Sequence, residues 1–130
     1  MRKGFTLIEV LIVVIILGIL ATIAVPQFVK IVEKARRAEA VTNISGIRTA
    51  LAIYYLEEEG YQALGTASEI EGNLDVQVTE NNWAYTVTAP TTTTYTVVAT
   101  RDATSGWGGQ TIIMDQAGAY TGNYEFVPNN

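Results

Sequence analysis

The chain opens with an almost unbroken run of apolar side chains, passes into a helical alternation, and ends in short stretches of period two. From Phe5 to Val25 there are 21 residues whose only charge is Glu9. As a helix this run would span about 31 Å, close to the ~30 Å of bilayer hydrocarbon. Its Ile and Val content would favour a strand in water, but in lipid only a helix satisfies every backbone group within the segment. Past Pro26 the pattern turns amphipathic, and the helix is expected to run on to a stop at Gly60, a total of about 55 residues. Phe28, Ile31, Val32, Ala35 and Ala38 share one face of it, and Val41, Ile44, Ile47, Leu51 and Tyr55 another. Two apolar faces imply two partners. Residues 41–56 are expected to pack on a head from the same chain, and residues 5–38 to bury themselves against neighbouring copies. Pro26 removes a backbone donor and crowds the carbonyl of Thr22, which predicts a kink or a melted stretch there, with Gly18 a second soft point.

The remainder reads as strands and turns. Thr66 with Glu69 fits a capping box opening a short helical turn. "WAYTVTA", "YTVVAT" and "TIIMD" alternate as half-buried strands, and "DQAG" is a hairpin turn into "AYTG". Trp83, Tyr85 and Val87 share one strand face, as do Tyr95, Val97 and Ala99, and both faces are expected to be core. The fold class is therefore α+β: a long N-terminal α-helix, membrane-spanning in its first half, packed on a meander of about four antiparallel strands.

Composition narrows the chemistry. A chain of 130 residues with part of its length in an apolar run makes one small domain. It has no Cys and no His, which excludes disulfides, thiolate metal sites and Ser-His-Asp, Cys-His or HExxH catalysis. No cofactor or metal is expected: Asp102 and Asp115 have the wrong spacing for an EF-hand. "GWGG" lacks the Lys-Ser/Thr and the strand-to-helix setting of a phosphate cradle and reads as a loop. The net charge of −5 and the lack of an extended basic stripe argue against nucleic acid as the main partner. Thr91–Thr94 reads as a polar turn, and the "NIS" sequon at Asn43 falls on the predicted helix.

Two clusters of charge flank the second half of the helix. Lys30, Lys34, Arg36 and Arg37 point away from the first apolar stripe and read mostly as a solvated face, with Glu33 and Arg37 an i,i+4 pair. Glu57, Glu58 and Glu59 oppose the helix dipole in the last turn. In a filament they could pair with the basic cluster of a neighbour shifted by about 40 Å along the axis, a pairing closed to a single straight helix.

Glu9 poses the sharpest question, because a carboxylate in lipid is costly and is by default a functional group with a partner. A cleaved secretory signal ending at Ala24 is one plain reading, but Glu9 interrupts its apolar region and the helical pattern continues beyond the cut. A plain anchor, with Glu9 just inside the headgroups, is the other. The residues "RKGFTLIEVLIVVIILGILATIAVPQF" resemble the N-terminal segment of type IV pilins and of the related type II secretion pseudopilins: a basic leader ending in Gly4, then Phe5, then Glu9 four positions on. The resemblance implies cleavage between Gly4 and Phe5 by a prepilin peptidase, N-methylation of Phe5 and insertion in the bacterial inner membrane. Assembly there on a membrane platform gives an extracellular pilus or a periplasmic pseudopilus. It also implies that Glu9 pairs with the new amine of Phe5 in an adjacent subunit. The expected segments are a leader at 1–4, a membrane and filament-core helix at 5–28, an amphipathic helix at 29–60 and a head at 61–130. Lysines and arginines on both sides of the apolar run leave the positive-inside count favouring the reverse orientation, so the cytoplasmic N-terminus rests on the resemblance. Family pilins often close a C-terminal loop with two Cys, which this chain lacks, leaving pilus and pseudopilus both open. The rival from another class is a monomeric, membrane-anchored binding module.

Overall fold

The computed structural model describes residues 3–104 and 106–129, Pro90 by its backbone alone. Met1 and Arg2 of the expected leader and Ser105 of the "DATSGWGG" loop lie outside the described residues. Helix α1 covers Leu7–Glu58 and helix α2 Ala67–Leu74; strands β1 (Trp83–Thr91), β2 (Thr94–Arg101), β3 (Thr111–Asp115) and β4 (Tyr120–Gly122) follow. The chain divides into two compact units, Met1–Ala35 and Arg36–Asn130.

The second unit, the head, is built as the period-two segments require. Its sheet has the order β1-β2-β3-β4, each neighbouring pair antiparallel. Register pairs Val87 with Val97 and Val97 with Met114, so one face carries Trp83, Tyr85, Val87, Tyr95, Val97, Ala99, Ile112 and Met114, all buried. Ala40, Ile44, Ile47, Ala50 and Leu51 of α1 complete that core. This is the second apolar stripe, with Val41 and Tyr55 half-buried at its margins. Each large side chain so buried contributes about 1.5–3 kcal/mol, which outweighs the mixed helix propensity of "AVTNISGIRTALAIYY". The outer edge of β1 is covered where Leu64 and Val87 exchange backbone hydrogen bonds of 2.9 and 2.8 Å.

Turn chemistry also follows the sequence. At "DQAG" the Gly118 N–H donates to Asp115 O at 3.0 Å, the Asp115 carboxylate accepts from Ala119 N at 2.8 Å, and Gly118 takes φ 91°. Thr66 caps α2 by accepting from Glu69 N at 3.2 Å, while the Glu69 carboxylate reaches Gly65 N instead of the cap's own amide, at 2.6 Å. In "GWGG", Gly109 has φ 77° and donates to Arg101 O, and Gly108 lies so close to Ala103 that a Cβ would come within 2.8 Å of its Cα. The glycines close a loop.

Several expectations need correction. α1 is unbroken at Gly18 and Pro26, so neither position is melted in the isolated chain. The intrahelical bond that proline forfeits is one of dozens, and its neighbours hold the helix. The left-handed residue that ends α1 is Glu59 at φ 57°, one before Gly60. Its N–H reaches Tyr55 O at 3.0 Å, and Tyr61 N then bonds Thr92 O at 2.9 Å, which fixes where the chain turns. Glu33 is buried, and Arg36 and Arg37 are half-buried, so only Lys30 and Lys34 of the basic cluster belong to an exposed face. The Arg37 guanidinium lies 3.5 Å from Phe126 O, and Arg36 O accepts from Trp83 Nε1 at 2.9 Å.

Because the second stripe covers the sheet, residues 29–130 expressed alone are expected to be soluble and folded; aggregation without a sheet signal in circular dichroism would contradict this. That fragment should also weaken in alkali. Burial pushes the Tyr85 hydroxyl up to about 12 from its ordinary 10.0, opposed by the Asn43 amide and assisted by the charges of Glu39 and Glu80. Between pH 10 and 12 the unfolded chain gives up this proton while the folded chain keeps it, so stability is full below pH 10 and falls through that window. Burial raises Tyr95 as well. Urea midpoints measured from pH 8 to 12 should fall more steeply for the parent fragment than for Tyr85→Phe, and parallel curves would refute the assignment.

Candidate assembly surface

Every residue from Lys3 to Ile31 is exposed, although nearly all are aliphatic. Phe5, Leu7, Phe28 and Ile31 are 89, 86, 66 and 64% exposed, values foreign to a protein surface in water. α1 is the one helix among the described residues long and apolar enough to cross a membrane. Of the first stripe, Phe28, Ile31, Ala35 and Ala38 are thus left exposed and Val32 half-buried.

At the start of this surface Glu9 has a local partner that the sequence reading missed. Its carboxylate accepts from Thr6 N at 2.8 Å and from Thr6 Oγ1 at 2.7 Å, while Glu9 N–H reaches back to Thr6 Oγ1 at 3.3 Å. This is a reciprocal capping box, with Thr6 as N-cap and Glu9 at N3. The signal was present in "TLIE", the same Thr-x-x-Glu spacing read at Thr66. In the free chain, therefore, Glu9 satisfies the Thr6 N–H and hydroxyl at the helix start, where the helix dipole also favours an anion. Gly4 and Phe5 precede the helix and are exposed.

Of the remaining candidate residues, Glu57, Glu58 and Glu59 are exposed at the end of α1. Asp102 and Asp115 do not converge on one site: the Asp102 carboxylate pairs with the buried Arg101 guanidinium, and that of Asp115 is spent on its turn. Asn43 is engaged too, donating to Thr79 O at 3.1 Å and to the Tyr85 hydroxyl at 2.9 Å.

Two parts of the head escaped the sequence reading. Arg101 is 2% exposed; Nη1 donates to Asn82 O at 2.7 Å and to Asp102, and the guanidinium lies 5.7 Å from the Trp83 ring centre. The alternation Tyr95, Val97, Ala99, Arg101 already puts it on the inner face. The C-terminal segment also folds back. Tyr124 is buried with its ring 5.0 Å from Trp83, Phe126 lies 5.6 Å from Tyr124 and 6.2 Å from Trp107, and Trp107 Nε1 donates to Glu125 at 2.8 Å.

The comparisons with known proteins fall on both units. A family model described as the prokaryotic N-terminal methylation motif matches residues 1–25. A second, described as type IV minor pilin ComP, DNA uptake sequence receptor, matches residues 26–111. The chain is 46% identical over 60 residues to the type IV major pilin protein PilA of Myxococcus xanthus, covering 46% of this chain and 27% of that protein. It is 38% identical over 77 residues to the type II secretion system core protein G of Pectobacterium carotovorum subsp. carotovorum, covering 54% and 49%. A fimbrial protein of Pseudomonas aeruginosa is 39% identical over 80 residues, covering 62% and 51%. The chain therefore spans between about a quarter and a half of the length of these relatives. No solved structure matches it.

Proposed function

From the premise that this chain belongs to the type IV pilin superfamily, we propose that it is a structural subunit of a pilus-like filament and not an enzyme. The observation that carries the reading is the exposed apolar surface of residues 5–31, which requires first lipid and then neighbouring copies to cover it. A prepilin peptidase cuts between Gly4 and Phe5 and methylates the new amine of Phe5. The mature chain keeps six basic and thirteen acidic side chains, a net charge of −7. It waits in the inner membrane until an assembly platform draws it into the filament. Glu9 then exchanges its Thr6 contacts for the Phe5 amine of an adjacent subunit.

The likeness to type II secretion core protein G supports the runner-up, a periplasmic pseudopilus. Nucleic acid is not proposed as the main partner, although one matching family model is named for a DNA uptake sequence receptor. Residues 36–130 hold four arginines, one of them buried, against eleven carboxylates, and phosphate backbones require clustered exposed cations.

The test is paired. Negative-stain microscopy of cell-surface preparations, with an antibody to the head, should show labelled filaments, whereas their absence under full expression favours the membrane-anchored binding module. Gly4→Val, which crowds the scissile bond, should leave an uncleaved membrane-bound precursor; mature-length protein by mass spectrometry would remove the cleavage assignment.

A further inference from the structure

The C-terminal ends of the two helices meet at a groove of about 260 Å³ in the head. Tyr54 and Asn73 line it together with the apolar Ala50, Ile53 and Leu74 and the acids Glu57 and Asp75, a mixed lining more polar than apolar. Leu56, 82% exposed, and Ile53, 56% exposed, extend the apolar part onto the open helix face. Neither helix has a basic residue in its last turn, where the dipole favours cations. The two non-glycine residues with positive φ among those described, Glu59 and Asp75, are both acids and both stand at these helix ends. The head therefore gathers negative charge where backbone dipoles already repel it, beside the exposed apolar side chains of Ile53 and Leu56. A long side chain with a cationic tip and an apolar stem has the complementary form.

We infer that this groove receives the stretch around Lys30 of a second copy of the chain. Charge complementarity selects the occupant. Lys30 is exposed between the exposed apolar Phe28 and Ile31, so this stretch offers a cation flanked by the apolar area that Ile53 and Leu56 need. In the groove the Lys30 methylenes lie over Ile53 and Leu74, the ammonium meets Glu57 and Asp75, and both helix dipoles are complemented. The acids that are unfavourable in the monomer become favourable on assembly, which gives the contact a direction and a register. The inference rests on the filament reading and adds to it the pair of surfaces that meet.

The test uses the full chain. Glu57→Lys with Asp75→Lys should lower filament yield about tenfold at unchanged subunit level in the membrane fraction, since like charges then face each other. Lys30→Glu should do the same, and combining the three substitutions should restore filaments. The native chain has no Cys, so Ile31→Cys with Ile53→Cys is a clean pair whose oxidation in intact filaments should give covalent multimers, absent in either single variant. Parental filament yield from both charge variants, or filaments without cross-links from the Cys pair, overturns the inference and leaves the filament reading standing. Failure of the parent chain itself to form filaments overturns both.

Discussion

Glu9→Leu is expected to give a processed, membrane-inserted subunit that forms at least about tenfold fewer filaments than the parent. The helix becomes more apolar, so insertion should be no worse, and the loss must arise at assembly. Two roles of Glu9 could produce it. One is the capping box with Thr6, worth about 1 kcal/mol at a helix start. The other is the proposed ion pair with the Phe5 amine of a neighbour, in which a misplaced subunit would leave two charges buried and unpaired. Glu9→Gln separates them, because Gln also serves at N3 of a capping box but carries no charge. Both variants should insert, as shown by fractionation, be cleaved, as shown by mass, and fail to polymerise under the microscope. Normal filaments from Glu9→Gln would reduce Glu9 to a cap, and normal filaments from both would return the plain-anchor reading.

Gly122→Ala should destabilise the head by more than about 3 kcal/mol, the range in which a backbone clash cannot be relieved by side-chain motion. Gly122 ends β4 with φ 130°, and a Cβ there would stand 2.2 Å from Thr111 O. That oxygen also accepts from Tyr124 N at 3.1 Å, so yielding to the methyl would loosen the C-terminal segment as well as the β3–β4 pairing. Urea unfolding of residues 29–130 would measure the loss, with Gly106→Ala as the control. No atom lies within 4 Å of a Cβ at Gly106, and its effect should stay within about 0.5 kcal/mol. Equal midpoints for the two variants would refute the packing argument.

What the sequence made legible is what periodicity encodes. Two helical stripes turned around one axis separated the buried Ile44, Ile47 and Leu51 from the exposed Phe28 and Ile31, and strict alternation placed Trp83, Tyr85 and Val97 in the core. Features that depend on a single side chain meeting a distant or unexpected backbone were harder to read. Thr6 and Glu9 carried a readable capping pattern, but the cost of a carboxylate in lipid drew attention to a distant partner instead of a local one. Arg101 sits at the right alternation for the core, but the partners that let a guanidinium be buried there, Asn82 O, Asp102 and the Trp83 ring, are brought together only by the fold. Gly60 looked like the helix stop, but tertiary contact at Thr92 set the turn and placed the left-handed conformation on Glu59. Tyr124 and Phe126 lie in a segment too short and irregular to show any period.

The fold-back of those last aromatic residues decides how the head's end is held. Trp83, Tyr124, Phe126 and Trp107 touch as rings in a chain without cysteine, so attachment is an equilibrium and not a bond. Reducing agents have nothing to cut, and folding needs neither an oxidising compartment nor an isomerase to choose a pairing. Heat and proteases that trap brief openings are the agents that release it.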